Sequence, residues 1–436
     1  MLTQFGAALV GMCDLMMVGH YSTTDLAAVS FSNAIFFTAM VFAMGVLMSV
    51  TPLISQEVGH KQQFPTDQEQ CETHIASLLQ NGVWVTLLLC ALMLFILGNC
   101  IAILDSFGQD PVVVEAARPY FILIVISLVP FLFFCLQKQF LEGLGNTTAA
   151  MVITVVMNGL NIFLNWIFIF GHLGSPALGA TGAGIATLIS RLLMPFCFTA
   201  VIWFKKDWRK YVTAFSARLN NLHEIRKLLH VGIPIGGQTL LETITFTASF
   251  IFVGWLSKEA LAAHQIANQI ADLTFMLALG IGSATTIRVS YQLGRKDIPA
   301  LRMAARASVH LVLLMNTIGA GLMIGCRHWI PYMFTKDPLV IDIASRLILL
   351  AGLLQYADGL QCVGASMLRG ITDVHRPMIY AFVAYIVVAL PVGLYCMFPL
   401  GLGAEGIWVG FIAGLSMAAI LFHLRFNRQI RKIEAG

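Results

Sequence analysis

Long apolar runs separated by short polar connections follow one another along the whole sequence. Most of these runs contain about 20 residues or more, which is the length at which a helix spans the hydrocarbon core of a bilayer. Charged residues make up only 11% of the 436 residues, whereas soluble domains carry about 25%. So few charges could not cover the surface of a soluble globule. The pattern therefore predicts an all-α polytopic membrane protein and excludes a disordered chain.

Gly, Pro and charged residues bound the apolar runs and divide them into twelve predicted transmembrane helices. The predicted spans lie near residues 1–18, 30–54, 75–103, 119–141, 149–170, 180–203, 230–256, 263–287, 306–330, 343–367, 377–398 and 404–424. The connections between them leave no room for a second, soluble domain.

The two halves of the chain repeat each other. The segment VGHYSTTDLAAVSFSNAI at Val18 matches VGWLSKEALAAHQIANQI at Val253, at a constant offset of 235 residues. Shorter echoes pair EGLGNTTAAM with RGITDVHRPM, and LGATG with LGAEG. A tandem repeat of six helices enters the membrane from the same side in both copies. This predicts two parallel six-helix lobes with a cavity and a substrate site between them.

The longest polar interruption lies almost at the middle of the chain and contains KKDWRKY and LHEIRK. We therefore expect an N-terminal lobe at 1–204, a basic linker at 205–228 and a C-terminal lobe at 229–430. The offset of the repeat places the counterpart of the start of the seventh helix before Met1, so the first helix looks truncated. Two explanations stay open: translation starts upstream of this Met, or the first span is short.

The placement of basic residues predicts the orientation in the membrane. Most of the 26 Lys and Arg residues lie in connections on one side, including the linker and the C-terminal tail. By the positive-inside rule that side is cytoplasmic, and so are both termini. We expect the linker to lie beside anionic lipid and not to bind nucleic acid. The nine cysteines occur singly in mostly apolar surroundings, which favours small buried side chains over disulfides or metal ligands.

Ionisable side chains inside the predicted spans are candidates for function, because each costs at least about 2.5–3.5 kcal/mol at the bilayer centre. The acidic ones are Asp14, Glu242, Asp272 and Asp358. Gln238, Glu242 and Thr245 recur at helical spacing and form a polar stripe on an otherwise apolar helix, so this face must look onto a cavity and not onto lipid.

Polar side chains near these acids, or in a ladder on the fifth span, are expected to line the substrate cavity. They are Asn161, Asn165, Gln238, Thr245, Gln265, Asn268, Gln355 and Gln361. Two alternatives stay open. Asn161 and Asn165 can equally form ordinary hydrogen bonds between helices, and Asp272 can bond across to a neighbouring helix.

Carboxylates without buried Lys or Arg partners attract cations, so these acids can exchange a proton or Na⁺ for an organic cation. Nearby Met and Phe side chains can line an adaptable apolar pocket. The sequence has no GxxxxGK[ST], HExxH or GxSxG motif. We therefore expect no enzyme and no cofactor other than the coupling ion, and we expect His264 to be a satisfied polar contact and not a ligand.

Several segments together resemble the multidrug and toxic compound extrusion (MATE) family, in its bacterial NorM-type branch. They include DLMMVGHYSTTDLAAVS, FLEGLGNTTAAM, NIFLNWIFIFG, GIPIGGQTLLETITF and AAHQIANQIADLTFMLALGIGSATTIRVSYQLG. The resemblance covers nearly the whole chain and implies a V-shaped pair of lobes that exports cationic drugs in exchange for Na⁺ or H⁺. It implies Glu242 and Asp358 as the carboxylates that hold the coupling cation, Na⁺ included, and Asp14 as the acid of the first helix with Asn161 and Asn165 as its polar neighbours.

One departure from the branch concerns the tenth helix. Its members commonly carry a Tyr one turn before the acid of this helix, where this chain has Leu354, and the nearest Tyr, Tyr356, lies on a different face.

The sequence thus predicts a secondary active multidrug efflux antiporter that works by alternating access, with Asp14 as a protonation switch. Its expected setting is the bacterial cytoplasmic (inner) membrane, its expected partners are small organic cations and the lipid bilayer, and a monomer is expected. The alternative is a lipid-linked saccharide flippase of the same superfamily, which should carry cationic residues in its cavity for pyrophosphate. An ion channel is disfavoured because the repeat offers no ring-like filter.

Overall fold

The structure, a computed structural model, describes residues 2–107, 110–215 and 220–435, and nearly all of them are helical. The chain divides into two compact units, an N-terminal unit at 2–236 and a C-terminal unit at 237–436. Each unit has its own hydrophobic core. Ten helices in the described ranges are long and apolar enough to cross a membrane. The prediction of an all-α polytopic membrane protein is confirmed.

In its described residues the N-terminal unit contains eight α-helices and the first part of a ninth. They are α1 (Leu2–Tyr21), α2 (Thr23–Leu47), α3 (Val50–Gln63), α4 (Gln68–Ala102), α5 (Pro111–Gly143), α6 (Thr147–Phe170), α7 (Gly179–Phe204), α8 (Lys206–Thr213) and α9 (Leu222–Gly254). Helix α5 packs against α2 and α7, and α6 packs against α1 and α7.

The C-terminal unit contains the rest of α9 and a further set of helices. They are α10 (Lys258–Gly294), α11 (Ile298–Cys326), α12 (Pro338–Gly370), α13 (His375–Phe382), a π-helical segment (Val383–Ala389), α14 (Leu390–Met397) and α15 (Ala404–Ala435). Helix α12 lies centrally and packs against α10, α11 and α15.

Helices α1 and α9 take the places of the first and seventh predicted spans. Helix α9 begins with the charged segment LHEIRK and also carries the polar stripe with Gln238 and Glu242.

The duplication is visible in the helix caps. Ser22 precedes α2 and Ser257 precedes α10, and each side chain accepts a hydrogen bond from the backbone N–H three residues further on. Helices α5 and α12 both begin with an Asp-Pro pair, in which Asp110 or Asp337 caps the helix and the proline occupies its first turn. Such caps satisfy backbone N–H groups that have no partner within the helix. Equivalent helices therefore begin at equivalent places in the two halves.

The predicted linker at 205–228 is not an extended connection. It contains α8, and α9 begins at Leu222. Trp208 and Tyr211 lie three residues apart on one face of α8, and both are buried, while Lys210 Nζ donates to Glu72 of α4 at 2.5 Å. The charges of this segment suggested a solvated loop, but its two aromatic side chains fix part of it to the N-terminal unit.

The second predicted span, 30–54, is interrupted. Helix α2 ends at Leu47, and α3 starts at Val50. Pro52 has no backbone N–H and its ring collides with the carbonyl four residues earlier, on Met48, so a regular helix cannot pass this point.

The eleventh predicted span, 377–398, contains α13, the π-helical segment and α14. Pro391 lies in the first turn of α14, and the wider turn of a π helix accommodates the loss of its N–H bond. Helix α15 approaches this segment closely at two glycines. A Cβ atom at Gly410 would overlap the Ala389 carbonyl oxygen, and one at Gly414 would lie 2.5 Å from the Ala389 Cβ atom.

We expect Gly410→Ala to destabilise the C-terminal unit, because the added methyl group collides with backbone that cannot move aside cheaply. Overpacking of this kind costs about 1–3 kcal/mol. The measurement is thermal unfolding of purified protein in detergent.

The matched control is Gly321→Ala on α11, where no heavy atom lies within 4 Å of the added Cβ atom. This variant should unfold at the wild-type temperature or slightly above it. Equal melting temperatures for the two variants would contradict the tight contact between α15 and the π-helical segment.

Candidate functional site

Two of the acids predicted inside the membrane meet at one amide group in the C-terminal unit. Gln361 Nε2 donates to Glu242 Oε1 at 3.0 Å and reaches Asp358 Oδ1 at 3.5 Å. The hydroxyl of Tyr385 donates to Gln361 Oε1 at 2.9 Å. Glu242 comes from α9, Asp358 and Gln361 from α12, and Tyr385 from the π-helical segment. These four residues are named the carboxylate cluster.

The local sequence accounts for this meeting. Asp358 and Gln361 are three residues apart and therefore share a face of α12. Gln361 is 2% exposed and Tyr385 1% exposed, so every polar atom of this amide and hydroxyl needs a partner within the protein. The Gln361 amide thus forms a junction that links two carboxylates to one buried tyrosine hydroxyl.

A partly buried basic group also belongs to these surroundings. Arg369 lies near the end of α12, where its Nη2 is 3.5 Å from Gln238 Oε1, and its charge interacts with that of Glu242. Glu242 thus has an arginine in electrostatic contact, which was not expected from the sequence. Arg369 follows Asp358 by eleven residues, about three helical turns, so a comparison of helix faces would have found it.

Acidic groups still outnumber basic ones here. Asp272 of α10 interacts electrostatically with Asp358 and accepts a hydrogen bond from Asn268 Nδ2 at 3.2 Å. Glu242, Asp358 and Asp272 thus form a chain of neighbouring carboxyl groups, of which Glu242 interacts with Arg369. Asp272 and Gln265 are both exposed at the surface of the unit.

Among the predicted cavity residues, Thr245 and Gln355 make their hydrogen bonds away from the cluster. The hydroxyl of Thr245 donates to the carbonyl of Leu241 in its own helix at 2.8 Å. The amide of Gln355 donates to the sulfur of Met323 on α11, and Asn316 donates to the Gln355 carbonyl at 2.6 Å. Helix position placed Gln355 one turn from Asp358, but its side chain joins α12 to α11.

The tyrosine of the cluster was not predicted. Leu354, which stands where the branch commonly has a Tyr, is part of the core, and Tyr356 is 3.3 Å from the Thr317 hydroxyl on α11. The hydroxyl is supplied by Tyr385 from another helix. The sequence signal that could have indicated Tyr385 is a tyrosine inside an apolar span, six residues before Pro391.

The remaining buried acid has its partners in the N-terminal unit. Asn165 Nδ2 donates to Asp14 Oδ1 at 2.5 Å and is 3.3 Å from Asn161 Oδ1. Asn165 is fully buried and Asn161 is 6% exposed. The predicted grouping of Asp14 with the two asparagines is present, and it ties α1 to α6.

A partly buried arginine interacts with the acid of this second group. The guanidinium carbon of Arg191 is 5.1 Å and 4.9 Å from the ring centroids of Phe36 and Phe131, and its Nη1 donates to the Ser127 hydroxyl at 2.9 Å. Its charge interacts with that of Asp14. Each unit therefore combines a partly buried acid with a partly buried arginine, which the separate examination of each helix did not reveal.

The prediction for His264 is confirmed. Its side chain has no solvent exposure, its Nε2 lies 2.9 Å from the Ser249 hydroxyl, and its Nδ1 accepts from the Trp408 indole at 3.0 Å. The nine cysteines are free thiols, as predicted. Within the described ranges no three His, Cys, Asp or Glu side chains are grouped as a metal site.

Comparison with known proteins places this chain in a family. The MatE family profile matches residues 1–167 and 234–395. A probable multidrug resistance protein NorM of Rhizobium meliloti (strain 1021) is 33% identical over 99% of this chain and 92% of its own length. The multidrug resistance protein MdtK of Photorhabdus laumondii subsp. laumondii is 31% identical over 98% of this chain and 92% of its own.

Solved structures share the fold. A chain described as an outward-facing conformation of a multidrug resistance MATE family transporter matches with a TM-score of 0.87 at 20% identity, over 100% of this chain and 95% of that one. The eukaryotic MATE transporter AtDTX14 matches with a TM-score of 0.82 at 20% identity, over 99% and 95% of the two chains.

The fold and its buried charges define a polytopic membrane transporter, and the chain belongs to the MatE family. The family predicted from the motifs, and the fold of twelve helices in two repeats, are confirmed.

We expect His264→Leu to lower stability and leave transport by the folded protein unchanged. The substitution leaves the buried Trp408 indole N–H without its acceptor, and a buried unsatisfied group costs about 1–3 kcal/mol. Thermal unfolding in detergent and transport per folded molecule measure the two quantities.

The control is His310→Leu, the same change at an exposed position on α11; it should leave both quantities unchanged. A His264→Leu protein of normal stability that fails to transport would show that the imidazole takes part in transport.

Proposed function

We propose that this protein is a secondary active antiporter that exports small organic cations in exchange for Na⁺ or H⁺ by alternating access. The names of its relatives support multidrug export. The observation that carries the proposal is the junction of Glu242 and Asp358 at the Gln361 amide. Two carboxylates this close, inside a membrane-spanning unit, favour the entry of a cation that offsets their charge.

In this mechanism Glu242 and Asp358 hold the coupling cation, and their oxygens suit either a proton or a hard cation such as Na⁺. Asp272 adds negative charge beside them. Asp14, hydrogen-bonded to Asn165, acts as a protonation switch in the N-terminal unit. No further cofactor is required, because the work comes from the ion gradient.

The energetics agree with exchange. Exporting one positive charge against an inside-negative potential of 100 mV costs about 2.3 kcal/mol. Importing one Na⁺ or H⁺ in the same cycle cancels this electrical cost, and a tenfold ion gradient then supplies about 1.4 kcal/mol.

The proposed setting is the bacterial inner membrane, with a monomeric protein and both termini in the cytoplasm. The basic residues concentrated in the connections on one side support this orientation. The predicted cavity side chains Gln265 and Asn268 are polar groups available to a substrate, since Gln265 is exposed and Asn268 partly exposed at the surface of their unit.

A lipid-linked saccharide flippase is the alternative, and the arginines found in the structure bear on it. A pyrophosphate needs cationic groups free to receive it. Arg191 lies against two phenyl rings and donates to Ser127, and Arg369 interacts with the carboxyl group of Glu242. Export of an organic cation therefore fits these charges better.

We expect Asp358→Asn and Glu242→Gln to abolish transport while the proteins still reach the membrane, because each change removes a charge that attracts the coupling cation. The assay is uptake of a fluorescent lipophilic cation by proteoliposomes at clamped potential, with a Na⁺ gradient and a pH gradient imposed in turn. The gradient that drives the wild-type protein identifies the coupling ion.

Matched controls are Asp342→Asn, which alters an exposed acid paired with Arg346, and Glu259→Gln at the start of α10. Both should transport normally. Full transport by Asp358→Asn and Glu242→Gln would refute their assignment, and a folded wild-type protein that responds to neither gradient would favour the flippase.

A further inference from the structure

The orientation of the Gln361 amide follows from its neighbours. Ionised carboxylates are acceptors only, so the amide must turn its nitrogen toward Glu242 and Asp358 and its oxygen away from them. The oxygen then needs a donor, and the Tyr385 hydroxyl provides it at 2.9 Å. In the reverse orientation the amide oxygen would face two anionic groups.

Tyr385 is closely packed. It lies in the π-helical segment and is almost fully buried. The backbone of this segment is in close contact with α15 at Gly410 and Gly414, where an added Cβ atom would overlap Ala389. The Tyr385 hydroxyl is therefore presented to the amide from a tightly packed backbone, and π bulges are frequent at functional sites.

A fixed amide has a consequence for any cation that enters. Its two N–H groups point at the carboxylate oxygens of Glu242 and Asp358, which are the atoms a coupling cation must use. The cation therefore has to displace hydrogen bonds from a neutral donor. A freely turning amide would instead offer its oxygen as an additional ligand.

We propose that Tyr385 is a positioning residue of the coupling-cation site, which fixes the Gln361 amide as a competitor of the cation and so keeps the site weak enough to release it. The inference rests on the proposed function, in which Glu242 and Asp358 hold that cation. The other titratable groups in electrostatic contact with this pair are Asp272, Arg369 and Cys362.

The test is Tyr385→Phe, which removes a single hydroxyl group. Transport of the fluorescent lipophilic cation is measured in proteoliposomes while the concentration of the coupling ion, Na⁺ or H⁺ as found for the wild-type protein, is varied. The half-saturating concentration should fall about twofold to tenfold, the range expected for one hydrogen bond. The maximal rate should fall as well, because the cation leaves more slowly.

A double-mutant cycle separates positioning from general damage. Gln361→Ala removes the competing amide and should itself lower the half-saturating concentration, and adding Tyr385→Phe to it should change nothing further. Tyr395→Phe is the matched control, since Tyr395 is 59% exposed on α14, and it should behave like the wild-type protein.

An unchanged half-saturating concentration in Tyr385→Phe overturns the inference, and so does a full effect of Tyr385→Phe in the Gln361→Ala background. Should Tyr385→Phe fail to fold, Gln361→Ala decides alone, and an unchanged or raised half-saturating concentration overturns the inference. A wild-type protein that responds to no ion gradient overturns the proposed function itself, which is a separate result.

Discussion

Hydrocarbon offers no hydrogen bonds, so each polar side chain inside the spanning helices of this protein needs a partner from its own surroundings. Asn165 meets Asp14, His264 joins Ser249 to Trp408, and the Gln361 amide joins two carboxylates to Tyr385. These bonds connect helices that are distant in sequence. The need for hydrogen-bond partners ties helices together within each unit. It also brings together the charged groups that transport needs.

The irregular parts of the fold contribute to this arrangement. Pro391 interrupts the eleventh span, the chain forms a π-helical segment before it, and that segment carries Tyr385 to the amide. The glycines of α15 then let the two backbones approach so closely that a Cβ atom at Gly410 or Gly414 would overlap Ala389. A regular helix in this span would direct the tyrosine elsewhere. The local departure from regular geometry is thus part of the site.

The duplication preserved the scaffold but not the site. Ser22 and Ser257 begin equivalent helices at the same register. At the same offset, Asp272 corresponds to Phe37, and Asp14 corresponds to Ser249. The two units therefore start from one architecture and have different charges. In the C-terminal unit Asp358 interacts with Glu242 and Asp272, and Glu242 interacts with Arg369, whereas in the N-terminal unit Asp14 interacts with Arg191.

The sequence by itself determined the class of fold, the number of spans and the acids, because apolar length, helical periodicity and the cost of buried charge act within single helices. Helix spacing also grouped Asp358 with Gln361, and the resemblance to the family grouped Asp14 with its asparagines. Only the tertiary structure decided that Tyr385 and Arg369 join the acids while Gln355 and Thr245 do not. Those choices depend on which faces of separate helices meet and on how proline and glycine bend and close them, which a pattern along one helix does not contain.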